Sequence, residues 1–311
     1  MNKIFTALFS LSFVIFSYAQ QIPLFTQYRE AHGIINPASI NQDFFTNHNT
    51  KSFGLSFRQQ WVELKNPPTT QILRGEYFAA NHQGVALLTG GYLMNDQTGP
   101  TGFTGLYGRI GGVITSDADY SGLSIALSAG AVQYRVKTSE LKLRDPDDIQ
   151  ATQDRMQIYP DVGMGIFYYQ KLGGAFDDDY LYGGLSVPQV LGLDLNFPNG
   201  NGTFSTKRIQ HYYANVGWYH FMGESSMFEP SAWIRYVPGV PLSIDINARY
   251  QMGANFWLGV GTSLSGNIHL ETGIKLGTES AFKIGYGFDY STQAYGAYVG
   301  GTHEINLSVS F

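Results

Sequence analysis

The sequence predicts an all-β fold, a transmembrane antiparallel up-and-down β-barrel of about 14 strands. Three observations carry this. Aromatic residues make up 15% of the chain and charged residues only 14%, against about 25% charged in average soluble domains, so much of the surface must meet something other than water. Mean hydropathy is nevertheless only −0.12, and beyond the N-terminus no run of about 20 apolar residues could form a spanning helix. The chain also closes on a strand of period 2: Ile305, Leu307, Val309 and Phe311 share one face, and Glu304, Asn306, Ser308 and Ser310 share the other. In a barrel the last strand pairs with the first and leaves no edge, which assigns Ile305, Leu307, Val309 and Phe311 to barrel closure. The competing class is a soluble β-sandwich.

At the start, Met1-Asn2-Lys3 supplies a positive charge and Ile4 to Phe16 an apolar stretch too short to span. Ser17-Tyr18-Ala19 then gives small residues for cleavage after Ala19. Residues 1–19 read as a secretory signal peptide. With no cysteine in the chain, neither disulfides nor a lipidated N-terminal cysteine can hold the mature protein. Losing Lys3 leaves 18 of the 19 Lys+Arg against 24 Asp+Glu, a net charge of −6 in place of −5, which gives no reason to expect a nucleic-acid partner.

Residues 20–50 are the least strand-like part of the mature chain, with turn signals at Asn36-Pro37 and Asn47-His48-Asn49-Thr50. They are expected in the periplasm or inside the lumen, with residues 51–311 forming the barrel. Strands are expected at 52–61, 69–80, 85–94, 101–114, 120–134, 161–170 and 180–187. They continue at 209–220, 228–237, 242–252, 256–264, 267–276, 281–290 and 302–311. The clearest alternates Leu242, Ile244, Ile246, Ala248, Tyr250 and Met252 with Ser243, Asp245, Asn247, Arg249 and Gln251. Strands of roughly 10 residues, tilted ~40–45°, match the ~25 Å apolar band of an outer-membrane barrel.

Between the strands, Asn95 to Pro100 reads as a turn and residues 135–159 and 188–207 as long exposed loops. An even strand count puts both termini on one side, the periplasm. The short turns near 81–84, 115–119, 222–226, 253–254 and 277–279 fall on that side, and both long loops fall outside. Partner-binding candidates are therefore Arg144, Asp145, Asp147, Asp148 and Asp154 in the first loop and Asn199 and Asn201 in the second. The polar strand faces carry Arg58, Asp245, Arg249, Glu271, Lys275, Lys283, Asp289 and Glu304. An ionised group facing lipid at midplane costs ~2–4 kcal/mol, so these are expected in the lumen, paired across strands and filling it.

No catalytic constellation stands out, and no cofactor or metal is expected. His303-Glu304 would point to opposite faces of a strand, and Asp145-Pro146-Asp147-Asp148 lacks the spacing of a dedicated calcium loop. Gly259-Val260-Gly261 lies within a strand and precedes no helix, so it cradles no phosphate. Tyr168-Tyr169, Tyr212-Tyr213 and Trp218-Tyr219 read as interfacial girdles.

Several short motifs, in order over nearly the whole mature chain, carry a resemblance. They are Phe25-Thr26-Gln27-Tyr28 with Asn36-Pro37-Ala38, then Arg58-Gln59-Gln60-Trp61, Gly163-Met164-Gly165-Ile166-Phe167-Tyr168-Tyr169 and Gly184-Leu185-Ser186-Val187-Pro188. Glu229-Pro230-Ser231, Phe256-Trp257-Leu258-Gly259-Val260-Gly261, Ile284-Gly285-Tyr286-Gly287-Phe288-Asp289-Tyr290 and His303-Glu304-Ile305 follow. With them the chain resembles the PorP/SprF family of type IX secretion system outer-membrane proteins of the Bacteroidetes. It departs from the family pattern at Ser39-Ile40-Asn41 and at Tyr286-Gly287-Phe288-Asp289. The resemblance implies a non-enzymatic barrel in outer-membrane lipid that works with type IX secretion components. Its favoured role is to help export and surface-anchor a large adhesin bearing a C-terminal secretion domain. A core secretion or gliding component coupled to the periplasmic ring, and a passive porin, are the alternatives.

Overall fold

The computed structural model describes residues 23–80, 84–137, 154–173, 178–199, 202–223, 225–253, 255–277 and 281–311. The expected signal peptide, several turn centres (81–83, 174–177, 224, 254 and 278–280), and Arg144, Asp145, Asp147, Asp148 and Asn201 lie outside the described residues. Along the rest the strands are β1 (Lys51–Gln59), β2 (Thr69–Phe78), β3 (Gly84–Thr98), β4 (Thr101–Asp117), β5 (Ser121–Val136), β6 (Arg155–Lys171), β7 (Tyr180–Gln189) and the short β8 (Asp194–Asn199) and β9 (Gly202–Lys207). They continue as β10 (His211–Met222), β11 (Ser226–Tyr236), β12 (Ser243–Met252), β13 (Phe256–Ser263), β14 (Asn267–Leu276), β15 (Ala281–Ser291) and β16 (Thr302–Ser310).

All except β8 and β9 form one closed barrel of neighbouring antiparallel strands. The seam between β1 and β16 is fully paired, from Ser52 opposite Ser310 to Gln59 opposite His303, with Leu55 facing Leu307. Beyond the last strand residue, Lys51 and Phe311 exchange both backbone hydrogen bonds at 2.9 Å. The Phe311 ring stacks 6.3 Å from Phe53, so the seam closes down to its final residue.

Burial is inverted relative to a soluble domain. On β4, Leu106 is 64% and Ile110 63% exposed, while Arg109 between and beside them is 4% exposed. Ile305 and Leu307 likewise face outward and Glu304, Asn306 and Ser308 inward. A wall that hides its ions and shows its aliphatic residues fits a hydrocarbon solvent.

One end of the barrel carries the starts and stops of the sheet, Lys51 and Phe311, and the brief connections 79–83, 118–120, 172–179, 223–225, 253–255 and 277–280; it is called the turn end below. The opposite, loop end carries connections 60–68, 137–154, 190–210 and 292–301. Around it β3 to β6 run to 15, 17, 16 and 17 residues, against 8–12 for the remaining barrel strands, so that quarter of the wall rises above its neighbours.

This raised wall corrects three expectations. Asn95 to Thr98 continue β3 instead of turning, since Asn95 opposes Thr104 and accepts from Thr104 Oγ1 at 2.9 Å and from Arg135 at 3.0 Å. The loop expected at 135–159 is shorter, because β5 reaches Val136 and β6 starts at Arg155, with Val136 opposite Arg155. Within 188–207, β7 reaches Gln189 and β8 and β9 pair as a hairpin. Asn95 to Thr98 are polar on both faces of β3, so the period-2 signal fades there while the backbone ladder continues; at the start of β6, Met156 and Ile158 face outward and Tyr159 inward, an alternation hidden by the charged residues around it.

The interior is filled by residues 25–45, nearly all buried. They comprise a 3-10 turn at Tyr28–Ala31, α1 (His32–Ile35) and α2 (Gln42–Asn47), the last capped by Asn41 accepting from the Asp43 N–H at 2.9 Å. Each element is shorter than two turns and too short to be stable by itself; the barrel wall holds them.

Candidate functional site

The segment from Pro23 to Asn49 sits in the barrel as a plug, fastened from end to end. At the loop end, one carboxylate of Glu304 on β16 accepts the backbone N–H groups of Thr26 at 2.8 Å and Gln27 at 3.2 Å. The Thr26 hydroxyl reaches Asp289 on β15 at 2.7 Å and also meets the Arg58 guanidinium of β1. Arg58 pairs with Asp289 at 2.6 Å and with Glu304 at 3.2 Å. Three strands around the seam thus clasp two consecutive residues.

Lower down, Arg29 bridges Glu229 at 2.7 Å and Glu271 at 3.0 Å, and Glu30 pairs with Arg74 at 2.6 Å and Lys283 at 3.4 Å. Lys283 also holds Asp43 at 3.0 Å. Arg249 bonds Gln42 at 2.9 Å and Glu271 at 3.1 Å, and Lys275 bonds Asn47. Arg109 donates to the carbonyls of Pro37 and Ser39, both at 2.9 Å, and pairs with Glu76 at 2.7 Å. Burial alone would raise the Glu30 carboxyl, yet Lys283 and Arg74 hold it far below the usual carboxylate range. Burial pushes the His32 imidazole down to about 3, and both its ring nitrogens lack a hydrogen-bond partner among the described residues, so at neutral pH it is an uncharged ring between Tyr28 and Tyr182.

Every expected lumen charge therefore has a position. Arg58, Arg249, Glu271, Lys275, Lys283, Asp289 and Glu304 bond the plug directly. Asp245 pairs with Arg235 at 2.5 Å, and His269 lies between Asp245 at 3.3 Å and Asp289 at 2.8 Å. Pairing runs across strands, as in Arg58 with Glu304 and Arg249 with Glu271, and also from wall to plug, as in Glu229 with Arg29 and Lys283 with Glu30. Asp154 is exposed at the loop end and Asn199 ends β8.

Two apolar layers complete the seat. Near the loop end Phe25, Tyr28, Ile34 and Ile35 pack with Ile72, Met94, Tyr213 and Trp233. Near the turn end Phe44 and Phe45 pack with Phe78, Tyr169, Tyr180 and Tyr219, with Phe45 centred 5.0 Å from Tyr169. This corrects the girdle reading of the aromatic pairs. Tyr168 and Tyr212 face out at 46% and 41% exposure, while Tyr169, Tyr213 and Tyr219 are buried inward, because adjacent strand residues point to opposite faces.

The scattered sequence motifs meet here. Asn36 donates to the Ile166 carbonyl at 3.0 Å, in a cradle where a methyl group on Gly165 or Gly184 would collide with its side-chain amide. Ser186 bonds the Ile35 carbonyl at 2.8 Å. Thr26 and Gln27 meet Arg58, Asp289 and Glu304, and Tyr28 and Arg29 meet Ser231 and Glu229. Sequence reasoning missed Arg29, Glu30, Asp43, Arg74, Arg109 and Glu229 as plug contacts. A signal existed: Arg29-Glu30 and Asp43 interrupt a segment otherwise rich in Phe, Tyr and Ile, the mark of charges that must be buried together with apolar groups.

Comparisons with known proteins agree with this geometry. The family model for type IX secretion system membrane protein PorP/SprF matches residues 17–309. Among curated proteins none matches the chain. Similar solved structures include the CymD monoaromatic hydrocarbon channel, at 14% identity and TM-score 0.51 with 90% of this chain and 91% of that chain covered. A TodX monoaromatic hydrocarbon channel lacking S2 and S3 is similar at 12% identity and TM-score 0.50, covering 89% and 93%. At such identities the likeness is one of fold, an outer-membrane β-barrel. With a model matched over nearly its full length, a closed barrel and family motifs gathered on one plug, the chain belongs to the PorP/SprF family of type IX secretion system membrane proteins.

Proposed function

We propose that this barrel is the outer-membrane partner of a large secreted adhesin, helping a cognate adhesin with a C-terminal secretion domain to be exported and held at the cell surface. In this reading the loop end is external and the turn end periplasmic. The observation that carries it is the lumen: residues 25–45 occupy it and are tied to the wall by buried ion pairs. A barrel filled this way suits holding a protein better than passing solutes, which weighs against the porin. The raised β3 to β6 wall and the β8–β9 hairpin supply backbone surface for a partner at the loop end. The ring-coupled alternative depends on the irregular residues 20–50 being available to periplasmic partners, and the burial of residues 25–45 in the lumen weighs against it.

Deleting the gene and staining intact cells for the adhesin tests the reading directly: loss of surface stain is expected, and normal display would sink it. Affinity purification from native membranes with mass spectrometry separates the roles. An adhesin among the captured proteins supports the anchor, whereas ring proteins alone would move the assignment to the core machinery.

A further inference from the structure

The two ends of the plug lie at opposite mouths of the barrel. Its base joins β1 at the turn end, where Asn49 bonds Ser310 at 3.0 Å and the Phe78 N–H bonds the Thr50 carbonyl at 2.9 Å. His48 there reaches Asp119 in the 118–120 turn at 3.2 Å. Its tip is held by Arg58, Asp289 and Glu304. Arg58 is next to the last residue of β1, and Glu304 and Asp289 lie within three residues of the 292–301 connection. The nine residues of β1 cover ~30 Å along the tilted strand at ~3.3 Å each, and the plug runs from one end of that strand to the other in the opposite sense before β1 begins. Pro23 and Leu24, the first described residues, are half-buried and directly precede the clasped segment, Leu24 standing two residues before Thr26.

We infer that the chain runs through its own barrel from the loop end to the turn end, so that Pro23 lies at the face that carries the long connections. This revises the expectation that both termini lie at the periplasmic side: only the C-terminus and the start of β1 share the turn end. The leading end becomes part of the surface that a protein docking on the loops would meet. The inference concerns which residues share a face. The compartment of that face rests on the orientation given under the proposed function.

The absence of native cysteine makes single-cysteine labelling clean. Leu24→Cys, Tyr298→Cys and Asp119→Cys are made separately and treated in cells with a membrane-impermeant maleimide, before and after permeabilising the outer membrane. Tyr298, 80% exposed in the 292–301 connection, marks the loop end, and Asp119 marks the turn end. The expected result is that Leu24→Cys follows Tyr298→Cys, labelled under the same condition and to a comparable extent. Co-labelling with Asp119→Cys alone overturns the inference. An epitope inserted directly ahead of Pro23 and probed with antibody is the second measurement, since it needs neither a reactive half-buried thiol nor a substitution in the clasp. It must be accessible under the same condition as Tyr298→Cys, and accessibility only with Asp119→Cys counts against the inference. Were Tyr298→Cys itself labelled only after permeabilisation, the proposed orientation would be wrong, while the pairing of Leu24 with Tyr298 would still decide the threading.

Discussion

At the residue scale, the plug depends on charges whose partners lie far away in the chain. Glu304 takes two backbone N–H groups, the Arg58 guanidinium and the Asn306 amide. Removing one partner of a buried ion pair costs ~3–5 kcal/mol because the other charge is left uncompensated. Glu304→Ala should therefore loosen the tip by about that much, read as faster protease cleavage near Thr26 in a barrel that still migrates as folded on unboiled gels. Cleavage as slow as in the wild type would mean that Glu304 does not hold the tip. His32 gives a pH signature. Its folded pKa, about 3, lies below the unfolded value of 6.5, so its contribution is complete above pH 6.5 and is lost as the pH falls toward 3. Over that window the wild type should lose roughly 1.4 kcal/mol more per pH unit than His32→Phe, measured by urea unfolding at pH 6, 5 and 4; parallel slopes would refute it. The sequence made the inward face of Glu304 legible through alternation. It could not show that Thr26, 278 positions away, would be the partner, because period 2 reports a face and says nothing about what stands opposite it.

At the element scale, strands were far easier to read than the plug. β12 alternates cleanly between lipid and lumen, whereas residues 25–45 are surrounded on all sides and have no face to repeat. The raised end of β3 escapes sequence reading for the related reason that Asn95 to Thr98 are polar on both faces, while on β6 the alternation of Met156 and Ile158 with Gln157 and Tyr159 is short and flanked by charges. Two outcomes belong here. Leu307, opposite Leu55 and Ile284 in mid-seam, should tolerate lysine worse than Val309 nearer the rim. The penalty should be ~2–4 kcal/mol against ~0–1, seen as lower outer-membrane levels of Leu307→Lys; equal levels would mean the belt is misplaced. Deleting residues 23–49 should convert a barrel that is nearly silent in planar bilayers into one with a large steady conductance. A wild-type barrel that already conducts as much would show that the plug does not seal it.

At the scale of the whole molecule, the barrel combines a smooth turn end, an elaborated loop end and a filled axis. Composition foretold the membrane, and the strand count foretold closure, but the convergence of distant motifs on one internal segment needed three dimensions to be visible. If the adhesin docks on the loop end, exchanging residues 137–154 and 190–210 with those of a relative should redirect which adhesin is displayed while outer-membrane levels stay unchanged, measured by surface staining for each adhesin. Unaltered display would exclude those loops as the selecting surface. The clasp on Thr26 also constrains how the protein is made. Its three holders belong to the first strand and the last two, so the leading segment of the chain is enclosed by a wall whose final piece is synthesised last. The clasp is complete only once those last strands stand beside β1, so the contacts that fix the beginning of the chain are among the latest to form.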